Sequence, residues 1–129
     1  MGKRIYEVDG RDSTTFEEFA ADFTERLSLE IDWGGNLDAF NDILHGGFGT
    51  PEEGFVLVWK NSALSKERLG YPETIKWLEE RMRRCHPLSV EHLRQRLALA
   101  RQEKGETLFD TLVGIITDKD HRGIELRLE

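Results

Sequence analysis

Phe55-Val56-Leu57-Val58-Trp59 is an unbroken apolar run set between Gly54 and Lys60. A strand with one wet face alternates apolar and polar residues. A run without alternation predicts a strand buried on both faces, as at the centre of a parallel sheet. Ile5, Tyr6 and Val8 mark a second short strand, closed by Asp9-Gly10, and Ile124-Glu125-Leu126-Arg127-Leu128 marks an alternating third. The segments between them carry helical periodicity. Strands separated by helices pair in parallel through right-handed crossovers. The expectation is one α/β domain over residues 1–129, a small three-stranded parallel sheet packed with helices.

Phe16, Phe19, Ala20, Phe23 and Leu27 recur at helical spacing, and Thr14 with Glu17 has the spacing of a capping box. Trp33-Gly34-Gly35 turns the chain into a second helix with Asn36 as N-cap. Leu37, Phe40, Ile43 and Leu44 point inward there, and Gly46 is placed to end it. A short helix is predicted over 63–69. Residues 72–84 and 89–103 then read as two charge-laced helices joined by Cys85-His86-Pro87-Leu88. Pro72 suits a first turn, Ser89 an N-cap and Gly105 a stop. Ile75, Leu78 and Met82 would face Val90, Leu93, Leu97 and Ala100. A last helix, from Leu108 to about residue 118, buries Leu108, Leu112, Ile115 and Ile116.

The formal net charge of −7 argues against a general nucleic-acid or anionic-membrane binder and leaves room for a basic protein partner. The charge is uneven: residues 60–104 hold eleven Lys/Arg against six Asp/Glu, whereas no Lys or Arg occurs between Arg26 and Lys60. A lone Cys85 fits a reducing compartment. No signal-peptide pattern opens the sequence, and no apolar run approaches the ~20 residues of a membrane span. These features predict a soluble, cytoplasmic protein.

The cation-free interval contains Glu30, Asp32, Asp38, Asp42, Glu52 and Glu53. Asp38 and Asp42 are four apart and share one helix face, which His45 extends. Like charges at that spacing cost roughly 0.2–0.5 kcal/mol. Asp42 also sits near the helix C-terminus, where the macrodipole disfavours an anion by about 0.3–1 kcal/mol. A solvated face is the ordinary reading of exposed charge, but folding does not ask for this arrangement. A positively charged partner would.

The run from Trp33 to Leu44, an aromatic-Gly-x-Asn-Leu-Asp-Ala-x-x-Asp-x-Leu pattern, resembles the signature of the barstar family, intracellular inhibitors of the ribonuclease barnase. Gly46 falls where that family has a glycine, and Val56-Leu57-Val58-Trp59 with Lys60 and Ser65-Lys66 is similar to its next strand and helix. The likeness covers about 3–69 and 108–129, which makes 70–107 an inserted helical hairpin. The resemblance implies inhibition by charge mimicry: helix carboxylates enter a cationic active site where substrate phosphates would sit. Asp42 would be the central anchor, Asp38 its neighbour one turn earlier, and Gly46 a point of close backbone approach. Asp118 stands, across an alignment gap, for a family glutamate. Asp32, Asn41 and Gly47 replace family aromatics, which trades apolar grip for charge and points to a basic secreted or toxin ribonuclease related to barnase. Asp32, Asn41 and His45 join the expected contact surface by adjacency.

Other readings keep fewer of these observations. Asp38, Asp42 and His45 could supply a divalent ion, and two carboxylates could form an acid–base pair. No second ligand cluster or phosphate-binding Gly-rich loop accompanies them, so no enzyme, metal or cofactor is expected. Cys85 and His86 lie beside Pro87 and read as structural. An immunity or interaction protein for a toxin other than a ribonuclease would keep the fold and change the target.

Overall fold

A computed structural model describes residues 3–45, 49–51, 53–118, 121 and 123–129. Three strands, β1 (Ile5–Asp9), β2 (Val56–Lys60) and β3 (Glu125–Leu128), form a parallel sheet in the order β1-β2-β3. Ile5 stands beside Val56, and Val56 beside Glu125. The apolar run is thus the central strand. Only one of its faces meets the helical layer, however. Leu57 and Trp59 enter the main core together with Tyr6 and Val8 of β1. On the other face, Val56 and Val58 are buried between Ile5, Glu7, Glu125 and Arg127, all exposed. Charged side chains paired as Lys60–Glu7 and Arg127–Glu125 flank the valines there instead of helices.

Among the described residues there are six α-helices: α1 (Phe16–Arg26), α2 (Leu37–Leu44), α3 (Ser62–Arg68), α4 (Tyr71–Arg84), α5 (Val90–Arg101) and α6 (Leu108–Ile116). α1 starts one residue later than its expected box. Thr15 Oγ1 accepts from the Glu18 amide, and Glu18 Oε1 accepts from the Thr15 amide. Its five apolar residues all enter the core. An aromatic layer (Phe16, Phe19, Phe23, Trp33, Phe40, Trp59) packs edge-to-face and stacked, and Trp59 Nε1–H donates to Ser65 Oγ at 2.9 Å. Trp33 and Trp59 are core residues, as their sequence context suggests.

α4 and α5 form the expected antiparallel pair around Leu78, Leu93, Leu97 and Ala100. Two details differ. Ser89 makes no cap bond; it closes a 3-10 turn (Pro87–Ser89) whose first residues are held by His86 Nδ1 accepting from the Leu88 amide. The base of the hairpin is also built into the domain. Glu73 Oε1 accepts from the Phe16 amide at the start of α1, and buried Thr74 accepts from the Leu108 amide at the start of α6. Ile115 is half-buried on α6 while Phe109, absent from the expected set, is buried. Among the described residues no helix is long and apolar enough to cross a membrane.

Candidate functional site

α2 owes its position to its entry turn. Gly34 and Gly35 both have positive φ (54° and 82°), a conformation that other residues adopt at a cost of roughly 1–2 kcal/mol each. Asp32 Oδ1 accepts from the Gly34 amide at 2.8 Å and closes this turn. Asn36 then caps the helix, its Oδ1 accepting from the amides of Asp38 and Ala39. Phe40, Ile43 and Leu44 are buried, with Leu37 half-buried at the edge of the core. That anchoring leaves Asp38 and Asp42 fully on the outer face, with half-buried Asn41 beside them. Among the described residues neither carboxylate has an ion-pair or hydrogen-bond partner, and Asp38 contributes only its amide to the cap.

The C-terminal end of α2 is joined to the segment after α6 through a histidine pair that the sequence does not reveal. His121 is buried, and its Nδ1 lies 2.6 Å from the Ile115 carbonyl. A carbonyl cannot donate, so Nδ1 carries the proton and, in the neutral ring, Nε2 is an acceptor. His45 Nδ1 lies 3.1 Å from that Nε2 and 2.9 Å from the Asn41 carbonyl, so one N–H serves both. The rings meet edge-to-face at 4.6 Å. His45 is thereby held with its Nε2 as the ring nitrogen that bonds to no described residue. The same bridge brings in Asp118: its carbonyl accepts from the His121 amide, and its side chain is exposed at the end of α6.

Asp38, Asn41, Asp42 and His45 therefore form one continuous face, with Asp118 linked to its C-terminal end and Asp32 set on the turn at its N-terminal end. Gly46, expected to close the helix, lies outside the described residues, as do Gly47 and Glu52. The charge set contains no described cation on its own element. Among the described residues no three His, Cys, Asp or Glu side chains are gathered to hold a metal ion, so Asp38, Asp42 and His45 do not form a ligand set.

A family model described as Barstar (barnase inhibitor) matches residues 3–90. The chain belongs to the barstar family. The barstar match spans both strands that flank the acidic helix, α2 itself, and α3 and α4. It continues through the first helix of the hairpin, beyond the point at which the motif likeness stops. No curated protein matches the chain.

Proposed function

We propose that this barstar-family protein inhibits a basic ribonuclease by laying α2 across its active site. The observation that carries this reading is Asp42, an exposed carboxylate with no partner among the described residues, near the end of a helix whose dipole disfavours it. Asp38 lies one turn earlier. Side chains four apart on a helix stand about 5–6 Å apart. Such a pair can engage adjacent phosphate-binding cations of a nuclease through charge-assisted hydrogen bonds, which are short and strong when desolvated. The substrate backbone is then excluded from the same cations. Asn41, His45 through its Nε2, Asp32, Asp118 and Gly46 complete the contact surface. Complementary charge also steers association, barnase–barstar being the reference case. The function is immunity of the producing cell to a secreted or toxin nuclease.

The test is a titration of barnase and a set of other basic ribonucleases of its type, with the wild-type protein and Asp42→Ala. Stoichiometric inhibition of at least one nuclease is expected. The variant should lose it by the roughly 2–5 kcal/mol typical of truncating one member of a buried charge pair. Its folding stability should hold or rise by roughly 1 kcal/mol, since alanine is the better helix former and the dipole and like-charge terms vanish. Inhibition that survives the substitution, or that is lost only because the variant unfolds, would refute the assignment.

A further inference from the structure

The hairpin carries six arginines, and four are neutralised within it: Arg83 and Arg84 by Glu80, Arg94 by Glu91, Arg101 by Glu79. Arg81 and Arg96 differ. Both are half-buried, neither forms an ion pair with a described residue, and each guanidinium is held against the Trp77 ring, at 4.9 and 5.9 Å from its centroid. Trp77 is itself fixed, its Nε1–H donating to the Gly35 carbonyl and its ring stacked on Phe16. The two cations are thus positioned before any ligand arrives. They line one wall of a groove of about 510 Å³ whose opposite wall is α2, with Asp38 and Asn41. Arg81 and Asp38 do not close on each other as an ion pair, so the groove stands open with one basic and one acidic wall.

A ligand of a single sign is opposed by one of these walls. A phosphate backbone would meet Asp38, and a purely basic segment would meet Arg81 and Arg96. A segment carrying a carboxylate next to cations satisfies both. Size points the same way. An eight-residue helix is about 12 Å long, too short by itself to supply the ~800 Å² per partner of a standard interface. The groove wall next to α2 supplies further area.

We infer that this groove receives a carboxylate-bearing loop at the rim of the nuclease's cationic active site, with Arg81 and Arg96 as specificity-determining contacts. The inference rests on the proposed inhibitory function. A rim loop that carries a carboxylate beside the cations of the active site presents juxtaposed signs, the carboxylate for Arg81 and Arg96 and the cations for Asp38. The hairpin then selects, among basic nucleases, those with an acidic rim.

The experiment measures affinity for barnase and the other basic ribonucleases of the titration with wild type, Arg81→Gln/Arg96→Gln, Arg81→Lys/Arg96→Lys and Asp42→Ala. Melting curves control for folding. For the nuclease bound best, the glutamine variant should weaken binding at least tenfold with an unchanged melt, and the lysine variant should recover most of the loss. Glutamine-variant affinity within twofold of wild type, with Asp42→Ala still disruptive, would overturn the inference and leave the active-site reading intact. Equal weakening by both arginine variants, together with a lowered melt, would overturn it in favour of a packing role on Trp77. If none of the nucleases binds, the inhibitory reading itself falls, and the inference with it.

Discussion

At position 38 a carboxylate lies in the first turn of α2, where the helix dipole favours it by about 0.3–1 kcal/mol. At position 42 the same dipole works against one. The two aspartates look alike in sequence, but among the described residues Asp42, unlike Asp38, has neither a favourable dipole nor an ion pair to account for its charge. Asp9 is the opposite case, an acidic residue fully explained by folding. Arg11 bonds it through both side chain and backbone, and Asn61 adds a further hydrogen bond; together these hold its carboxyl far below the usual carboxylate range. Because its folded value is depressed, its stabilisation is complete above the unfolded value of about 3.9 and is lost as pH falls towards the folded one. Asp9→Asn should therefore cost stability uniformly at neutral pH, with the difference from wild type shrinking below about pH 4. Denaturant melts from pH 7 to pH 2 measure this; a gap that widened on acidification would contradict the assignment. Residue-level legibility followed locality. Asn36 was readable because its cap depends on the next three residues. The α1 box forms one residue later than the spacing of Thr14 and Glu17 predicts, because Thr15 and Glu18 offer the same spacing. His121 gave no signal, since its partner His45 lies 76 positions away.

The elements were legible where one periodicity governed them. The 3.6-residue pattern located α1, α2, α4, α5 and α6, and the unbroken apolar run located β2. What the run could not tell was how its second face is protected. Flanking charged side chains cover Val56 and Val58 at the sheet's open face, a result that depends on neighbouring strands rather than on β2. The hairpin shows a similar limit. As sequence it looks appended, with its own apolar seam and its own ion pairs. In the fold its base is held by Glu73 at α1 and by Thr74 at α6. Thr74 Oγ1 donates to the Gly70 carbonyl at 2.7 Å while accepting from the Leu108 amide at 2.9 Å. Thr74→Val keeps the shape but leaves that amide without its partner, at a cost of about 1–3 kcal/mol. The loss should appear in equilibrium unfolding, with faster hydrogen exchange at the start of α6. Unchanged stability would show the hairpin to be an independent appendage.

Across the whole molecule, charge is segregated: an acidic face on α2, a basic hairpin beside it, and a groove between them. Composition announced the imbalance, since cations vanish between Arg26 and Lys60 and crowd into 60–104. It could not say that the two regions face each other, because that follows from how α4 packs on the Gly34–Gly35 turn through Trp77. The family and the parallel sheet were readable from one twelve-residue motif and one five-residue strand. The arginine wall was not, because its meaning is entirely tertiary. If α2 occupies the place of substrate phosphates, a ligand of the nuclease active site must compete with it, and competition is the most direct test. For a nuclease that the protein inhibits, binding is measured at rising concentrations of a non-cleavable dinucleotide that fills the nuclease active site. Mutually exclusive binding is predicted, with apparent affinity falling in proportion to site occupancy. A stable ternary complex of nuclease, dinucleotide and this protein would contradict it.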